Sequence, residues 1–460
     1  MEAFTRFNSP QLPLIHRGKV RDSMRINSKK RLIAVTDRIS AFNKKIKTPI
    51  PGKGAVLNGI TNFWFEKTKD IIPNHLVEAV DPNLSVVREA KPIRVEMIVR
   101  AYLTGSMWRG YEKGQRTFSG VTVPDGMKKN QAFDAPILTP TTKDELDTEI
   151  SEKEIIRLGL VSKPVYQKMK KTALALFERG SRYLAKKGII LVDTKYEFGL
   201  LDGKLILIDE IHTPDSSRFW RAADYKKSRT KVAQMDKEIV RQWMLKNKVA
   251  GEVPLVLPAR IVRETARRYR EIYELITGRE LQLPPVPPAA RIYHNLIHAR
   301  LIRPGFVAIV MGSASDLPHA EKIQSYLERY DVAIQKRIIS AHKNGERIVE
   351  LAAAYNETVE PAAVIAIAGR SNGLGGALAA NLTIPVINCP PFKDKADMLL
   401  NLNSSLMMPS RTPAMTVVHP DNAAYAAVRA LNIYSFKPHL QREIDELKNE
   451  LNKADQKLIQ

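Results

Sequence analysis

Ten residues, Leu281-Gln-Leu-Pro-Pro-Val-Pro-Pro-Ala-Ala290, constrain this 460-residue chain more than any other stretch. Four prolines fix φ and remove backbone donors, so the segment predicts an extended spacer and a domain boundary. The sequence on its two sides has different grammar. Residues 1–280 mix short β-patterned runs at 32–35, 96–102 and 205–208 with helical stretches at 164–187 and 258–277, the texture of an α+β domain. From Gly305 the pattern becomes regular. Apolar runs at 306–311, 332–339, 363–368, 385–388 and 414–418 alternate with helical segments near 317–329, 345–356, 374–381, 394–404 and 421–431. Continuous apolar strands separated by helices predict a doubly wound parallel α/β sheet covered on both faces. The chain is therefore α/β overall, with expected divisions at 1–280, a spacer over 281–304, a second domain over 305–435 and a long terminal helix over 436–460.

Composition excludes several classes. With 44% hydrophobic and 26% charged residues the chain has the average make-up of folded proteins, not that of a disordered or collagenous one. Its length suggests two or three globular units. The most apolar runs, 306–311 and 362–368, are far shorter than the ~20 residues of a spanning helix, so no membrane partner is expected. The N-terminus has no apolar signal region, and Cys389 is the only cysteine, which excludes an intrachain disulfide framework or a cysteine-rich zinc site. A cytoplasmic location is expected. The net charge of +23 raises nucleic-acid binding. The excess lies almost wholly before residue 301, as scattered pairs such as Lys44-Lys45 and Lys170-Lys171. It reads as a solvated basic surface that in part recruits phosphorylated substrates. No helix-turn-helix, zinc or aromatic stacking pattern supports a nucleic-acid partner.

In the first domain, Gly18-Lys-Val-Arg-Asp22 lies between two β-like runs, where Lys19 and the backbone amides could lie over phosphates. An ordinary hairpin turn has the same pattern. More informative is Asp193-Thr-Lys-Tyr-Glu-Phe-Gly199, followed by a turn at Asp202-Gly203 and by Leu205-Ile-Leu-Ile-Asp-Glu210. As one hairpin, its alternation puts Asp193, Lys195 and Glu197 on one face, able to meet Asp209 across the turn. Two carboxylates and a lysine there suit Mg²⁺ with nucleotide phosphates, or a surface hairpin with cross-strand charge pairs. Downstream, Thr213-Pro-Asp-Ser-Ser-Arg218 offers hydroxyls and a guanidinium suited to a phosphate or carboxylate.

These segments, together with Asp37-Arg-Ile-Ser-Ala-Phe42, Pro51-Gly-Lys-Gly54, Val99-Arg-Ala-Tyr-Leu-Thr-Gly-Ser106 and Leu138-Thr-Pro-Thr-Thr-Lys143, resemble the SAICAR synthetases of purine biosynthesis. The resemblance is collinear from about residue 12 to 280. It implies ATP-dependent joining of L-aspartate to the carboxylate of carboxyaminoimidazole ribonucleotide, through an acyl phosphate. It further implies that Lys19, Arg21, Lys195, Glu197 and Asp209 bind ATP, with Lys19 over its phosphates, Lys195 beside the transferring group, and Glu197 and Asp209 holding Mg²⁺. Arg100 and Ser106 are implied to hold the imidazole ribonucleotide, Asp215, Ser216, Ser217 and Arg218 to take its phosphate end, and Asp147 to help place substrate. One departure touches the last role. Leu146-Asp147 stands where many relatives carry His-Asp.

In the second domain three small, polar loops follow three strands: Gly312-Ser-Ala-Ser-Asp316, Ser340-Ala-His-Lys343 and Gly369-Arg-Ser-Asn-Gly-Leu-Gly-Gly376. Ligands of doubly wound sheets bind at strand C-termini, so these loops predict one crevice. The first could bind a phosphate or be a plain N-cap near Asp316. His342 is the only histidine among them and the candidate proton carrier, against a structural role. Cys389 reads as a small core residue. These loops and Pro385-Val-Ile-Asn-Cys-Pro-Pro391 resemble the aminoimidazole ribonucleotide (AIR) carboxylases over about 305–433, with a flavodoxin-like fold. The third loop resembles the animal-type branch that uses carbon dioxide, since the mutase branch carries a second histidine there. The resemblance implies C4 of AIR attacking carbon dioxide and His342 then removing the C4 proton, with no cofactor. Lys343 and the amides of Gly373 to Gly375 would stabilise the carboxylate. Gly312, Ser313, Ser315 and Asp316 would hold ribose and phosphate, and Ser340, Gly369, Ser371, Asn372, Gly373 and Leu374 would line the reacting end.

The product of the second domain is then the substrate of the first, two consecutive steps on one chain. The family leads one to expect a homo-octamer built on the carboxylase domains. Leu440, Ile444, Leu447 and Leu451 form an apolar stripe on the terminal helix, packing on its own domain or against another subunit. A mutase or an inactive oligomerisation scaffold is the alternative for the second domain.

Overall fold

The computed structural model describes residues 2–459 apart from 145–146, 230–231, 233–234, 236, 250 and 370. Leu146 and Arg370 of the motifs above lie outside the described residues. The chain divides into two units. One comprises the residues up to Arg6 with Leu14–Arg291, the other Phe7–Pro13 with the residues from Ile292 onward.

Besides two short hairpins, Ser40–Ala41 with Lys44–Lys45 and Thr117–Phe118 with Val121–Thr122, the first unit holds two large antiparallel sheets. Strands β1 (Leu14–Arg17), β2 (Arg21–Arg25), β3 (Lys30–Val35), β4 (Leu76–Asp81) and β5 (Leu84–Arg88) form one, in the order β1-β2-β3-β5-β4. The other has β6 (Lys91–Tyr102), β7 (Ala132–Leu138), β8 (Thr141–Thr142), β9 (Ile189–Leu201), β10 (Lys204–Ile208) and β11 (Ser217–Arg221). Its order is β7-β6-β9-β10, with β8 on β6 and β11 on β9. Its longer helices are α1 (Lys53–Lys67), α2 (Gly105–Glu112), α3 (Lys163–Ala185), α4 (Glu238–Lys246) and α5 (Ala259–Thr277). Along β9 the alternation expected from sequence holds. Tyr196 and Phe198 are fully buried in the core with Trp64 of α1 and Leu176 of α3, which turns Asp193, Lys195 and Glu197 to the other face. The hairpin forms as read, with Glu197 opposite Ile208 and Leu201 opposite Lys204.

The spacer is extended only in part. Residues 281–287 have no regular structure, but Pro288 opens a helix, α6 (Pro288–His298). The sequence reading of 281–290 as an extended spacer is corrected there. A proline in the first turn has the fixed φ a helix needs and no N–H to waste, so Pro288 starts a helix instead of preventing one.

The second unit is a five-stranded, all-parallel sheet of β12 (Gly305–Met311), β13 (Val332–Ile338), β14 (Ala362–Ile367), β15 (Val386–Asn388) and β16 (Met415–Thr416), in the order β13-β12-β14-β15-β16. Helices α7 (Leu317–Leu327), α8 (Glu346–Tyr355), α9 (Gly373–Asn381), α10 (Lys395–Leu406), α11 (Pro420–Leu431) and α12 (Lys437–Ile459) connect and follow the strands. Odd residues of β12, Val307, Ile309 and Met311, pack with Ile323 of α7 and Val428 of α11. Even ones, Phe306, Ala308 and Val310, pack with Leu351 of α8 and Leu378 of α9. Both faces are thus covered, the condition for an all-parallel sheet. Phe7–Pro13 belongs here through Ser9 Oγ, which donates to Glu360 Oε1 at 2.7 Å, and Asn8 Nδ2, which donates to Glu357 Oε2 at 2.9 Å. On α12, Leu440 packs against the core, whereas Leu447 and Leu451 are exposed. No helix among the described residues is long and apolar enough to cross a membrane.

Candidate active sites

In the first unit the hairpin reading of Gly18-Lys-Val-Arg-Asp22 is right geometrically. β1 pairs antiparallel with β2, and Gly18 N donates to Arg21 O at 2.7 Å. The turn also delivers chemistry, because Lys19 and Arg21 line two adjoining cavities. One, of about 410 Å³, is lined by Lys19, Arg21, Glu96, Arg100, Ser106, Asp147, Asp193, Lys195, Glu210, Asp215, Ser216, Arg218 and Lys237 among others. The second, of about 750 Å³, shares Lys19, Arg21, Glu96, Asp147, Lys195 and Glu210 and adds Lys143, Glu197 and Asp209. The residues singled out from sequence come together, with one difference in the serine pair. Ser216 lines the first cavity, while Ser217 faces inward, 2.7 Å from Thr194 Oγ1.

Strand register explains the chemistry. Asp193 lies opposite Arg100 of β6 on one side and Arg218 of β11 on the other. Its Oδ2 accepts from Arg100 at 3.4 Å and also pairs with Arg218, so one buried carboxylate orients two guanidiniums toward the cavity. Glu197 and Glu96 also stand opposite each other, which would repel. Lys195 resolves this, with its ammonium 2.6 Å from Glu96 Oε1 and 3.4 Å from Glu197 Oε1. Burial would lower the Lys195 ammonium, but Glu197 and Glu96 outweigh it and hold it above its ordinary value. A permanently charged lysine suits electrostatic stabilisation and not proton transfer. Glu197 is also paired with Lys143, and Arg21 bridges Asp209 at 2.9 Å and Glu210 at 2.6 Å. Asp209 sits just past the end of β10 with φ 65°, which swings its carboxylate out of the ladder.

Among the described residues no cluster of three or more His, Cys, Asp and Glu is arranged to hold a metal ion by itself. Glu197 and Asp209 supply two hard oxygen donors at the wall of the second cavity. That donor set fits Mg²⁺ held mainly by phosphates and water.

Sequence reasoning missed Glu96, Glu210, Lys143 and Lys237. Glu96 was detectable, since 96, 98 and 100 share a face in a strand and both Glu96 and Arg100 line the first cavity.

In the second unit the three loops sit at the C-terminal ends of β12, β13 and β14. Ser313 Oγ accepts from Ser315 N at 3.3 Å and Asp316 Oδ2 from Ser313 N at 3.0 Å, which folds the first loop into a 3₁₀ turn over Ala314–Asp316. Burial raises the Asp316 carboxyl above its ordinary value. The capping bond thus belongs to Ser313, at the start of the 3₁₀ turn, and not to the expected Asp316, which stands at the N-cap of α7 without a side-chain cap bond to it. In the second loop Ser340 N donates to Asn344 Oδ1 at 2.7 Å, and His342 and Lys343 are exposed. The His342 ring lies against Gly373, where an added Cβ would come within 3.0 Å of Cε1. His342 thus meets the first turn of α9. Asn372 caps that helix by accepting from Gly375 N at 3.1 Å, and ties it to α10 through Ser404 Oγ at 2.7 Å and Ser405 Oγ at 2.9 Å. Leu374 is buried in the core, so it can serve a ligand only by its backbone. Gly312 N donates to Ile367 O at 2.8 Å, holding the first loop beside the third, and a Cβ on Gly369 would stand 3.4 Å from Asn401 Nδ2. Ser371 is exposed. Cys389 is fully buried, 3.3 Å from His319 Nε2, and burial pushes its thiol up to about 12. That is the environment of a core residue, as expected.

Residues 14–255 match the SAICAR synthetase family and residues 306–454 the AIR carboxylase family. A phosphoribosylaminoimidazole-succinocarboxamide synthase of Azobacteroides pseudotrichonymphae genomovar. CFP2 is 44% identical over 304 residues, covering 64% of this chain and 93% of that protein. Its counterpart in Bacteroides thetaiotaomicron is 44% identical over 290 residues, 60% of this chain and 92% of that protein. The solved SAICAR-synthase of Saccharomyces cerevisiae complexed with SAICAR is 35% identical over 61% of this chain and 100% of its own, with a TM-score of 0.55. The chain belongs to the SAICAR synthetase family and carries, after that domain, a second domain of the AIR carboxylase family.

Proposed function

We propose that the chain is a bifunctional enzyme of de novo purine synthesis: the second domain carboxylates AIR, and the first ligates the product to L-aspartate using ATP. The observation that carries this reading is the pair of adjoining cavities sharing Lys19, Arg21 and Lys195. One is rich in guanidinium groups for an anionic nucleotide, and the other joins a phosphate-binding turn to two carboxylates. In the ligase, the substrate carboxylate attacks the γ-phosphorus of ATP and ADP leaves. The amine of aspartate then attacks the acyl carbon, phosphate departs, and the amine releases its proton. Lys19 and Arg21 lie over the ATP phosphates and Lys195 counters charge on the transferring group. Mg²⁺ held by Glu197 and Asp209 would neutralise phosphate charge. Arg100, Ser106, Ser216 and Arg218 hold the imidazole ribonucleotide, Asp147 lies where the cavities meet, Asp215 lines the first of them, and Ser217 acts from behind.

In the carboxylase, C4 of AIR forms a bond to carbon dioxide and His342 removes the C4 proton, restoring the aromatic ring. The first turn of α9 and Lys343 face the new carboxylate. Ser313, Ser315 and Asp316 hold the ribose phosphate, and Ser340 and Ser371 border the reacting end. The third loop has no histidine, which favours carbon dioxide as substrate over a carboxylated amine. We assign the boundaries at 280, 305 and 435 and a homo-octamer through the second domain to the same reading, with a cytoplasmic location.

Separated variants test it. Lys195→Met is expected to lower ligase kcat by about 10²–10³ and leave carboxylation at the wild-type rate. His342→Asn is expected to lower carboxylation by about 10²-fold or more and leave ligation of supplied carboxylated substrate intact. Full carboxylation by His342→Asn would remove the histidine from its role.

A further inference from the structure

A lysine without solvent exposure lies beneath the first cavity, and no step above uses it. Lys53 opens α1, its side chain is 0% exposed, and its ammonium donates to Asp215 Oδ2 at 2.7 Å. Tyr269 of α5 donates its hydroxyl to Asp215 Oδ1 at 2.8 Å. Lys237, at the start of α4, stands 3.9 Å from the same oxygen. Both oxygens of Asp215 are thus engaged by protein donors. Burial would raise the Asp215 carboxyl, yet Lys237 and Lys53 outweigh it and hold it well below the usual range. It is a fixed anion.

What this anion anchors is the loop that carries the substrate groups. Asp215 N donates to Thr213 Oγ1 at 3.2 Å, Ser217 N to Thr213 O at 2.8 Å, and Lys195 N to Ser216 O at 3.0 Å. The Asp215 carboxylate thus tethers the tight turn to α1 through Lys53 and to α5 through Tyr269. Charge gives the second argument. The cavity presents Lys19, Arg100, Lys195 and Arg218 to its ligand, and an uncompensated Asp215 on the same wall would repel an anion. A buried lysine is costly unless paired, and apolar residues in place of both partners of such a pair often leave a fold as stable or more so. Stability alone does not account for a lysine at this position.

We propose that Lys53, with Tyr269, is a positioning residue for the anionic substrate of this cavity: it neutralises Asp215 from beneath and, through Asp215, keeps Ser216 and Arg218 aimed inward. The inference rests on the reading that this cavity takes carboxyaminoimidazole ribonucleotide. The test is steady-state ligation by the full chain with each of the three substrates varied in turn, alongside thermal melting. The proteins compared are wild type, Lys53→Met, Tyr269→Phe and the double variant Lys53→Met/Asp215→Asn. Lys53→Met is expected to raise KM for carboxyaminoimidazole ribonucleotide about tenfold or more, with KM for ATP within about twofold. Tyr269→Phe keeps the ion pair and raises the same KM by a smaller factor. The double variant leaves neither buried charge unpaired, so its melting temperature recovers, while its KM falls only part of the way, because the repulsion is gone but the ionic tether to the turn is not restored. A lysine with only a structural role predicts full recovery of KM together with stability, and that result overturns the proposal. So does an unchanged KM in Tyr269→Phe and in whichever Lys53 variant folds. Wild-type chain without ligation would instead overturn the substrate reading of the cavity.

Discussion

Asp193 illustrates how much of the first site rests on single side chains whose partners come from different strands. It is 5% exposed and pairs with Arg100 and Arg218. Asp193→Asn keeps the shape and removes the charge, leaving two largely buried guanidiniums without a counter-ion. The expected cost is about 3–5 kcal/mol, measured as a shift in the denaturant midpoint of the first unit, and the nucleotide substrate should restore part of it by supplying a replacement anion. A shift below about 1 kcal/mol would show that solvent already screens the pair. The same comparison separates what the sequence discloses from what it does not. Lys195, Glu197 and Arg218 were legible because strand alternation and loop chemistry are local. Lys53 was quoted only within a motif, because its partner Asp215 is 162 residues away. Glu96 meets Lys195 across 99 residues, and no periodicity within either segment encodes that pairing.

Elements position these side chains through a few backbone decisions. At Gly105, the first residue of α2, φ is +61° and an added Cβ would lie 2.6 Å from the Arg218 guanidinium. Glycine is needed twice there, for the conformation and for the close approach. Gly105→Ala is expected to displace Arg218 and raise KM for the nucleotide substrate about tenfold, against about 1 kcal/mol of backbone strain. An unchanged KM for the nucleotide beside unchanged ATP kinetics would contradict that placement of Arg218. In the second unit the strand and helix order was readable from the sequence, because apolar strands alternate with turns and helical segments throughout. The last strand shrinks from the expected 414–418 to Met415–Thr416, the edge position where pairing is one-sided. Pro288 was misread for a different reason. Proline marks both an extended spacer and a helix start, and composition alone does not separate them.

For the whole molecule, two buried histidines make stability depend on acidity. Burial lowers His75 from 6.5 to about 4 and His212 from 6.5 to about 3. Above about 6.5 both are neutral in the folded and unfolded chain, and their contribution is complete. As pH falls below that value the unfolded chain takes up protons that the fold refuses, so stability declines, by up to ~1.4 kcal/mol per pH unit for each histidine, until each folded value is passed. The melting temperature of the first unit should therefore fall steadily from about pH 6.5 to about pH 4, and His212→Phe should flatten the slope; a flat wild-type profile would contradict the burial of these rings. Two reactions on one chain can be followed in a single experiment. Purified protein is given AIR and bicarbonate, first without and then with Mg-ATP and L-aspartate, and both products are quantified by mass spectrometry. The expected result is carboxyaminoimidazole ribonucleotide in the first phase, with no nucleoside triphosphate consumed, and the succinocarboxamide only after ATP and aspartate are added. Absence of carboxylation in the first phase, with ligation of supplied carboxylated substrate intact, would contradict the carbon-dioxide assignment of the second domain.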